Sequence, residues 1–304
     1  MNTKNEILKD FYILADYLWE VGKVKDLNKY KKDFSAFLLH ANHIKAYDFV
    51  APFCKDKMVL DIGCFIGYGE TRIFSQAKEI IAIDSDDKAL DFARRNRQIP
   101  NVKFEKVDAR GLPFSNEIFD IVIAFQLIEH IPPNEVSSFL CEVRRVLKGK
   151  GSLFITTPNR KFRLMPFQMP FNVEHYQEFT ASGLLKILQT IFEEVVIKGT
   201  RAKEWIEEIE RKRVRKSPFQ AYILTPPYRF LNTVLPMGIK VLLEKIGPII
   251  KSSGSEDKQI SGNNDQIFNN LFQKFSMENF YLENQATDNS MDLFAICKKG
   301  IQTK

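Results

Sequence analysis

The stretch VLDIGCFIGYGE, residues 59–70, decides the fold because it has the pattern of a short buried strand running into a glycine-rich turn. Apolar residues lead up to Asp61, and three glycines follow it: Gly63, Gly67 and Gly69. A strand that ends in such a turn is typical of nucleotide-binding α/β proteins, in which the ligand lies across the carboxyl ends of the strands. We therefore expect a nucleotide-like ligand at this turn.

The composition is that of an ordinary globular protein with a mild basic excess. The 304 residues are 44% hydrophobic and 27% charged, and the net charge of +6 permits an anionic partner without requiring one. The four cysteines are far apart and form no CxxC pair, which predicts reduced thiols. The N-terminus has no signal-peptide core and no apolar run approaches ~18 residues, so we predict a cytoplasmic protein without a membrane-spanning helix.

Short apolar runs alternate with helix-like stretches from residue 58 onward. This alternation predicts an α/β fold, in which helices cover both faces of a doubly wound, mostly parallel sheet. The predicted strands are residues 58–62, 79–84, 102–108, 120–125, 152–157 and 192–199, with 291–299 as the last strand.

Three parts of the chain differ in texture. Residues 1–45 have helical periodicity and are predicted to form an N-terminal helical cap. Residues 46–200, together with 291–300, are predicted to form the core. Residues 201–290 break the strand–helix rhythm and are predicted to be a largely helical insertion or lid, with a flexible linker near 251–265.

Three predicted strands end at or near a carboxylate: Asp61, Asp84 and Asp108. In a doubly wound sheet these ends meet at one edge, where Asp84 can accept hydrogen bonds from both ribose hydroxyls and Asp108 from an adenine amine. A dinucleotide is disfavoured because an acid at position 61, two residues before the first glycine, would repel a phosphate. The same acid suits a nucleoside with an ammonium and a sulfonium, so the ligand predicted here is S-adenosylmethionine.

Several motifs together resemble the class I S-adenosylmethionine-dependent methyltransferases, over roughly residues 42–200 and the last strand. The matching motifs are VLDIGC…GYG, IIAID, VDARGLPFSNEIFDIVIAFQLIEHI, FLCEVRRVLKGKGSLFITTPNR and EHYQEFT. The resemblance implies a seven-stranded sheet of order 3-2-1-4-5-7-6, with the last strand antiparallel.

The resemblance also implies a cofactor site. Gly63 and Gly67 would line the methionine tail, Asp84 would bind the ribose, and Asp108 with Ala109 would border the adenine. Gln126, after the fourth strand, would face the transferable methyl group. The predicted cofactor-binding residues are Asp61, Gly63, Cys64, Gly67, Asp84, Ser85, Asp108, Ala109 and Gln126.

Phe65 departs from the family, which usually has glycine at this position. Glycine serves where the backbone needs a positive φ or where ligand and chain approach closely. We expect the turn to adopt ordinary dihedral angles here and to aim the ring away from the ligand. In the alternative, the ring fills the methionine pocket and the protein is a non-catalytic cofactor-binding protein or scaffold.

Methyl transfer from a sulfonium needs alignment and, for a hydroxyl acceptor, a base. The candidate catalytic residues are His130, His175 and Gln126. In metal-dependent O-methyltransferases of the small-RNA and ubiquinone-pathway kinds, an ExxEH motif contributes to a divalent-metal site, and in the small-RNA kind a later histidine completes it. Here Gln126 replaces the first glutamate, so we predict no metal, with Glu129, His130 and His175 as the candidate ligands otherwise.

The acceptor is predicted to be a small molecule, a glycan or a lipid-linked compound that is methylated on oxygen. The sequence does not exclude a nitrogen or carbon atom as the acceptor. Metal-assisted RNA 2′-O-methylation is the alternative, supported by the basic run 211–216 but weakened by the lack of a recognisable RNA-binding module. Glu207 and Glu208 precede Arg211 and Lys212 at helical i,i+4 spacing, which favours a salt-bridged, solvated helix. The basic, aromatic stretch 211–250 could contact the inner membrane face.

Overall fold

The computed structural model describes residues 4–170, 172–215, 222–223, 226 and 264–300. The strands are β1 Met58–Ile62, β2 Glu79–Asp84, β3 Val102–Lys106, β4 Phe119–Phe125, β5 Leu147–Pro158, β6 Glu194–Ala202, β7 Phe280–Glu283 and β8 Asp292–Lys298. They form one sheet of order β3-β2-β1-β4-β5-β8-β6-β7. Strands β1 to β6 run parallel to one another, whereas β7 and β8 run antiparallel to them. The predicted doubly wound α/β fold is therefore confirmed.

The predicted count of seven strands is wrong by one. The additional strand, β7, comes from within the predicted insertion and pairs with the last residues of β6, from Gly199 to Ala202. Without it, the strand order is the predicted one. An edge strand exposes unpaired backbone N–H and C=O groups, and β7 satisfies those of β6 at this end of the sheet.

Helices cover both faces of the sheet. The helices are α1 Lys4–Glu20, α2 Leu27–Lys31, α3 Phe34–Val50, α4 Glu70–Ile73, α5 Asp87–Asn96, α6 Val136–Val146, α7 Arg160–Arg163, α8 Ala181–Gln189, α9 Glu204–Val214 and α10 Asn264–Lys274. One face packs against α6 and α8, through residues such as Phe139 and Leu184. The other face packs against α3 and α4, through residues such as Val50 and Ile73.

The N-terminal helices and the segment before β8 share a third apolar cluster, which includes Phe11, Phe37 and Phe268. Helix α3 runs past residue 45, so one helix belongs both to the predicted cap and to the sheet face; the division into three parts stays a prediction. Most of the stretch 211–250, and residues 251–263 of the predicted linker, lie outside the described residues. Among the described helices, none is long and apolar enough to cross a membrane.

Gly69 holds the start of α4 close to the Tyr47 ring of α3. A Cβ added at Gly69 would lie 2.1–2.5 Å from three ring atoms. The φ of Gly69 is −67°, so the obstacle is steric and not conformational. We expect Gly69→Ala to lower the free energy of unfolding by about 1–3 kcal/mol, because the buried ring has to move.

Chemical denaturation measures this effect. Gly111→Ala is the matched control, since nothing lies within 4 Å of a Cβ added there. Equal losses in the two variants would contradict the proposed steric origin.

Candidate cofactor and acceptor site

A cavity of about 340 Å³ lies at the carboxyl ends of β1, β2 and β4 and beside the loop after β3. This volume is in the range of small-molecule sites. Five of the predicted cofactor residues line it: Gly63, Asp84, Ser85, Asp108 and Ala109. His130 and Tyr176 also line it. The sheet thus brings together residues that are separated in the sequence but follow neighbouring strands.

Asp84, the last residue of β2, is held at both carboxylate oxygens. The backbone N–H of Phe65 donates to Oδ2 at 2.8 Å, and that of Asp86 donates to Oδ1 at 2.9 Å. Each oxygen keeps a lone pair for a further donor. The carboxylate is therefore fixed in place and still able to accept from two neighbouring hydroxyls.

Asp108 lies on the loop after β3 and forms an ion pair that the sequence analysis missed. Arg110 donates to both of its oxygens, from Nε at 2.9 Å and from Nη2 at 2.6 Å. Hydrogen bonds from Arg110 lower the pKa of the Asp108 carboxyl, so it is ionised at neutral pH. Arg110 also pairs with Glu135 at 3.1 Å. The opposite charges two residues apart in the sequence were the signal for this pair.

The glycine turn has left-handed backbone at Gly63, Phe65 and Gly67, with φ of 81°, 52° and 73°. Ordinary dihedral angles were expected at Phe65, and that expectation is wrong. The left-handed residue lets the Phe65 N–H reach Asp84, at a cost of roughly 1–2 kcal/mol. The ring packs edge-on against Tyr17 of α1, with 5.1 Å between ring centroids, and is not among the residues that line the cavity.

Two buried carboxyls lie beneath this turn, at Asp61 and Glu70, and both are fully inaccessible to solvent. Neither has a hydrogen-bond partner of normal geometry within the described residues. Burial raises the pKa of Asp61 to about 7, and burial with the neighbouring Asp61 raises the pKa of Glu70. Buried carboxyl groups in this position suit an ammonium group, whereas a phosphate would be repelled. These two hydrogen-bond acceptors therefore fit the ammonium group at the methionine end of S-adenosylmethionine.

The other predicted cofactor residues lie around the cavity and do not line it. Cys64 is buried, and its N–H donates to the Ile83 carbonyl at 3.1 Å. A Cβ added at Gly67 would lie 2.7 Å from the Phe104 ring, which explains the glycine there. Gln126, with φ of 51°, donates from its side chain to Thr156 Oγ1 at 3.2 Å.

Glu129, His130 and His175 converge beside the cavity, after β4 and in the loop that follows α7. One ligand atom from each lies within 4.8 Å of the others. The two imidazole rings meet edge to face, with 4.7 Å between their centroids. Sequence spacing brought Glu129 and His130 together, whereas His175 joins them through the fold.

Hydrogen bonds fix the orientation of both imidazole rings. His130 Nδ1 lies 3.1 Å from the Glu174 carbonyl oxygen, and His175 Nδ1 lies 3.1 Å from Glu178 Oε1. In a ring whose Nδ1–H donates to an oxygen, Nε2 is the atom that can bind a proton or a metal. Glu178 was not among the residues predicted from sequence. Its position three residues after His175 was a signal that the two side chains could pair.

Glu129 is fully buried and accepts a hydrogen bond from Thr157 Oγ1 at 2.8 Å. Burial raises its pKa to about 8, whereas glutamate in an unfolded chain titrates near ~4.3. Between these values the folded protein keeps a proton that the unfolded chain releases, so the free energy of unfolding falls as pH rises through this window. Glu129→Gln removes this dependence and still accepts from Thr157. We expect its gain in melting temperature over the wild type to grow from pH 5 to pH 8.

Thermal unfolding across this pH range, with a chelator present, measures the gain. Glu174→Gln serves as the control, because Glu174 is exposed. A difference in melting temperature that does not change with pH would contradict the prediction.

Residues 60–155 match the family model described as "Methyltransferase domain". A probable S-adenosylmethionine-dependent methyltransferase of Mycobacterium tuberculosis is 34% identical over 146 residues, which cover 48% of this chain and 52% of the relative. A ubiquinone biosynthesis O-methyltransferase of Coxiella burnetii is 27% identical over 165 residues, which cover 53% of this chain and 65% of the relative. The chain thus spans about half to two-thirds of the length of these relatives.

The fold has counterparts among solved structures. The crystal structure of a S-adenosylmethionine-dependent methyltransferase from Thermotoga maritima superposes with a TM-score of 0.51 at 14% identity, covering 95% of this chain and 99% of that one. At this identity the likeness concerns the fold alone. By the family match over residues 60–155 and by these relatives, the chain is similar to S-adenosylmethionine-dependent methyltransferases.

Proposed function

We propose that the protein transfers a methyl group from S-adenosylmethionine to an oxygen of a small-molecule, glycan or lipid-linked acceptor. The observation that carries this proposal is the cavity in which Asp84 and Asp108 lie beside His130. The two carboxylates suit the nucleoside, and the histidine suits a hydroxyl that has to lose its proton. The cofactor, when bound, supplies an electrophilic methyl group.

The residues of this chain would position the cofactor and handle the proton. Asp84 would accept from the ribose hydroxyls, and Asp108 with Ala109 would border the adenine. The turn from Gly63 to Gly67 would carry the methionine end. Alignment of the acceptor oxygen with the methyl group supplies most of the rate increase in such a displacement.

A base beside the cavity supports an oxygen acceptor. Burial and the neighbouring His175 lower the pKa of His130, so its imidazole is neutral and able to accept a proton at pH 7. His175, oriented by Glu178, would take the same role for an acceptor that lies deeper. The Coxiella relative, which is named an O-methyltransferase, supports the same acceptor atom.

The ring of Phe65 gave the reason to consider a non-catalytic protein. That ring packs on Tyr17 and is absent from the lining of the cavity, so this reason no longer applies. Calorimetry with S-adenosylmethionine tests cofactor binding directly, and absence of binding would refute the proposed activity.

The acceptor can be found by labelling. The purified protein is incubated with S-adenosylmethionine carrying a tritiated methyl group and with an extract of cells from which its gene has been deleted. We expect one labelled fraction, whose fragmentation by mass spectrometry gives a methyl ether or ester. A methyl group on nitrogen or carbon would overturn the oxygen assignment, and no labelled product would refute the transfer.

A second candidate is metal-assisted methylation, favoured by the convergence of Glu129, His130 and His175. Carboxylate and imidazole groups bind divalent first-row metals, and an oriented Nε2 is the usual imidazole ligand. We expect a divalent ion to remain with the purified protein if this site is used. Transfer that is unaffected by a chelator, with no metal in the protein, would dismiss this candidate.

An RNA acceptor has less support from α9. Glu207 does not pair with Arg211 as expected; it pairs instead with Arg201, whose Nη2 lies 3.1 Å from its Oε2. Arg211 lies over the Phe162 ring, 4.5 Å from its centroid, and Arg213 pairs with Glu210. These cations are therefore engaged within the protein and are poorly placed to bind phosphates.

For a lipid-linked acceptor, we also propose that the protein contacts the membrane surface. Exposed apolar side chains lie on the loop after α7 and at residues 222–223: Phe167, Met169, Val173, Tyr176, Tyr222 and Ile223. The Tyr222 hydroxyl donates to the Pro166 carbonyl at 2.7 Å, which joins the two stretches. Sedimentation with vesicles of anionic phospholipid is the test, and absence of binding would remove the membrane version.

A further inference from the structure

Tyr17 of helix α1, which is 1% exposed, contacts the glycine turn. Its ring packs edge-on against Phe65, with 5.1 Å between centroids and an angle of 85° between ring planes. It also packs against Phe92 of α5, again with 5.1 Å between centroids. Its hydroxyl donates to Asp86 Oδ2 at 3.2 Å.

These contacts involve both residues whose backbone holds Asp84. Phe65 donates its N–H to one carboxylate oxygen of Asp84, and Asp86 donates its N–H to the other. Asp86 also begins α5, because its Oδ1 accepts from the Lys88 N–H at 2.9 Å. Tyr17 therefore contacts both residues whose N–H groups fix the Asp84 carboxylate. Its ring packs against Phe65, and its hydroxyl donates to the side chain of Asp86.

The energetics of the turn support the same connection. A left-handed phenylalanine costs roughly 1–2 kcal/mol, which an edge-on aromatic pair offsets by about 0.5–1.5 kcal/mol. If α1 undocks, Phe65 loses this contact and the turn is free to relax. Movement of the Phe65 N–H would then release Asp84 Oδ2.

We propose that Tyr17 is a positioning residue for the cofactor site and that docking of α1 and binding of S-adenosylmethionine are coupled. The inference rests on the proposed function, because it assumes that Asp84 binds the cofactor ribose. Coupling between two events is reciprocal. If a docked α1 raises the affinity for cofactor, bound cofactor must hold α1 in place by the same factor.

Two variants of Tyr17 and one control test the coupling. Tyr17→Ala removes the ring and the hydroxyl, whereas Tyr17→Phe removes the hydroxyl alone and keeps the core filled. Trp19→Ala changes the same helix at a side chain that is 56% exposed. Calorimetry with S-adenosylmethionine should give a dissociation constant roughly tenfold higher for Tyr17→Ala, a smaller increase for Tyr17→Phe, and no change for Trp19→Ala.

Hydrogen exchange supplies a readout that a purely structural tyrosine would not move. Saturating S-adenosylmethionine should slow exchange in residues 4–20 of the wild type, and this protection should shrink in Tyr17→Phe. Unchanged affinity in Tyr17→Phe together with equal protection of α1 would overturn the coupling, even if Tyr17→Ala fails to fold. A wild type that binds no S-adenosylmethionine would refute the proposed function instead.

Discussion

Replacing Asp84 with alanine is expected to weaken S-adenosylmethionine binding by about 1–3 kcal/mol. The wild-type carboxylate is fixed by the N–H groups of Phe65 and Asp86 and faces the cavity. The variant loses the proposed acceptor for the ribose hydroxyls and also leaves these two donors without their partner. Both losses act at the same edge of the sheet. The loss of S-adenosylmethionine affinity should therefore be larger than for a substitution of any other single predicted cofactor residue.

Calorimetry with S-adenosylmethionine measures the change. Asp84→Asn separates charge from hydrogen bonding, because the amide oxygen can still accept from one backbone N–H but the amide nitrogen cannot. We expect this variant to lie between wild type and Asp84→Ala. Asp91→Ala is the matched control, since Asp91 lies on α5 with its side chain 68% exposed. Wild-type affinity in Asp84→Ala would refute the ribose assignment.

The sheet could be predicted from sequence because its strands are short apolar runs bounded by polar residues. The bounds of β1 and β2 agree with the predicted 58–62 and 79–84. The strand β3 ends at Lys106, before the predicted 108, because Asp108 turns back to accept from the Arg110 N–H. Local patterns of this kind set element positions to within a few residues.

The features that could not be predicted from sequence depend on strand pairing between segments that lie far apart in the chain. The four residues of β7 form a strand only because β6 offers an edge some 80 positions earlier, as in the pairing of Gly199 with Glu283. The strand β5 begins at Leu147, earlier than the predicted 152, because Phe119 pairs with Leu147 before the register shifts. Neither partner can be identified from a window of ten residues.

Phe65 is the clearest case of a local rule overridden by distant packing. A window around the turn argues against a left-handed phenylalanine, since the conformation is strained. The residue that compensates, Tyr17, lies on a helix almost fifty positions earlier in the chain. In the same way, Glu129 and His130 were visible as a pair, but their partner His175 is brought in by the loop after α7.

Replacing His130 or His175 with alanine is expected to slow methyl transfer by about 10²–10⁴-fold while leaving S-adenosylmethionine affinity near the wild-type value. The magnitude is that of a lost general base or proton carrier. The two rings meet beside the cavity, and their Nδ1 atoms lie 3.1 Å from the Glu174 carbonyl oxygen and from Glu178 Oε1, which fixes their orientation. Initial rates with the labelled acceptor fraction, beside calorimetry, separate catalysis from binding.

The pH profile and a chelator then distinguish a base from a metal. Burial and His175 lower the pKa of His130, so the imidazole is neutral above pH ~6.5. If it is a general base, the rate of transfer should not change with pH above that value and should not respond to a chelator. A metal held by Glu129 and both histidines would make the rate depend on the ion. The rate of Glu129→Gln would then be reduced as much as that of His175→Ala. Val173→Ala, an exposed change in the same loop, should match wild type. Full activity in both histidine variants would exclude the two roles together, because no catalytic proton or ion could then depend on these rings.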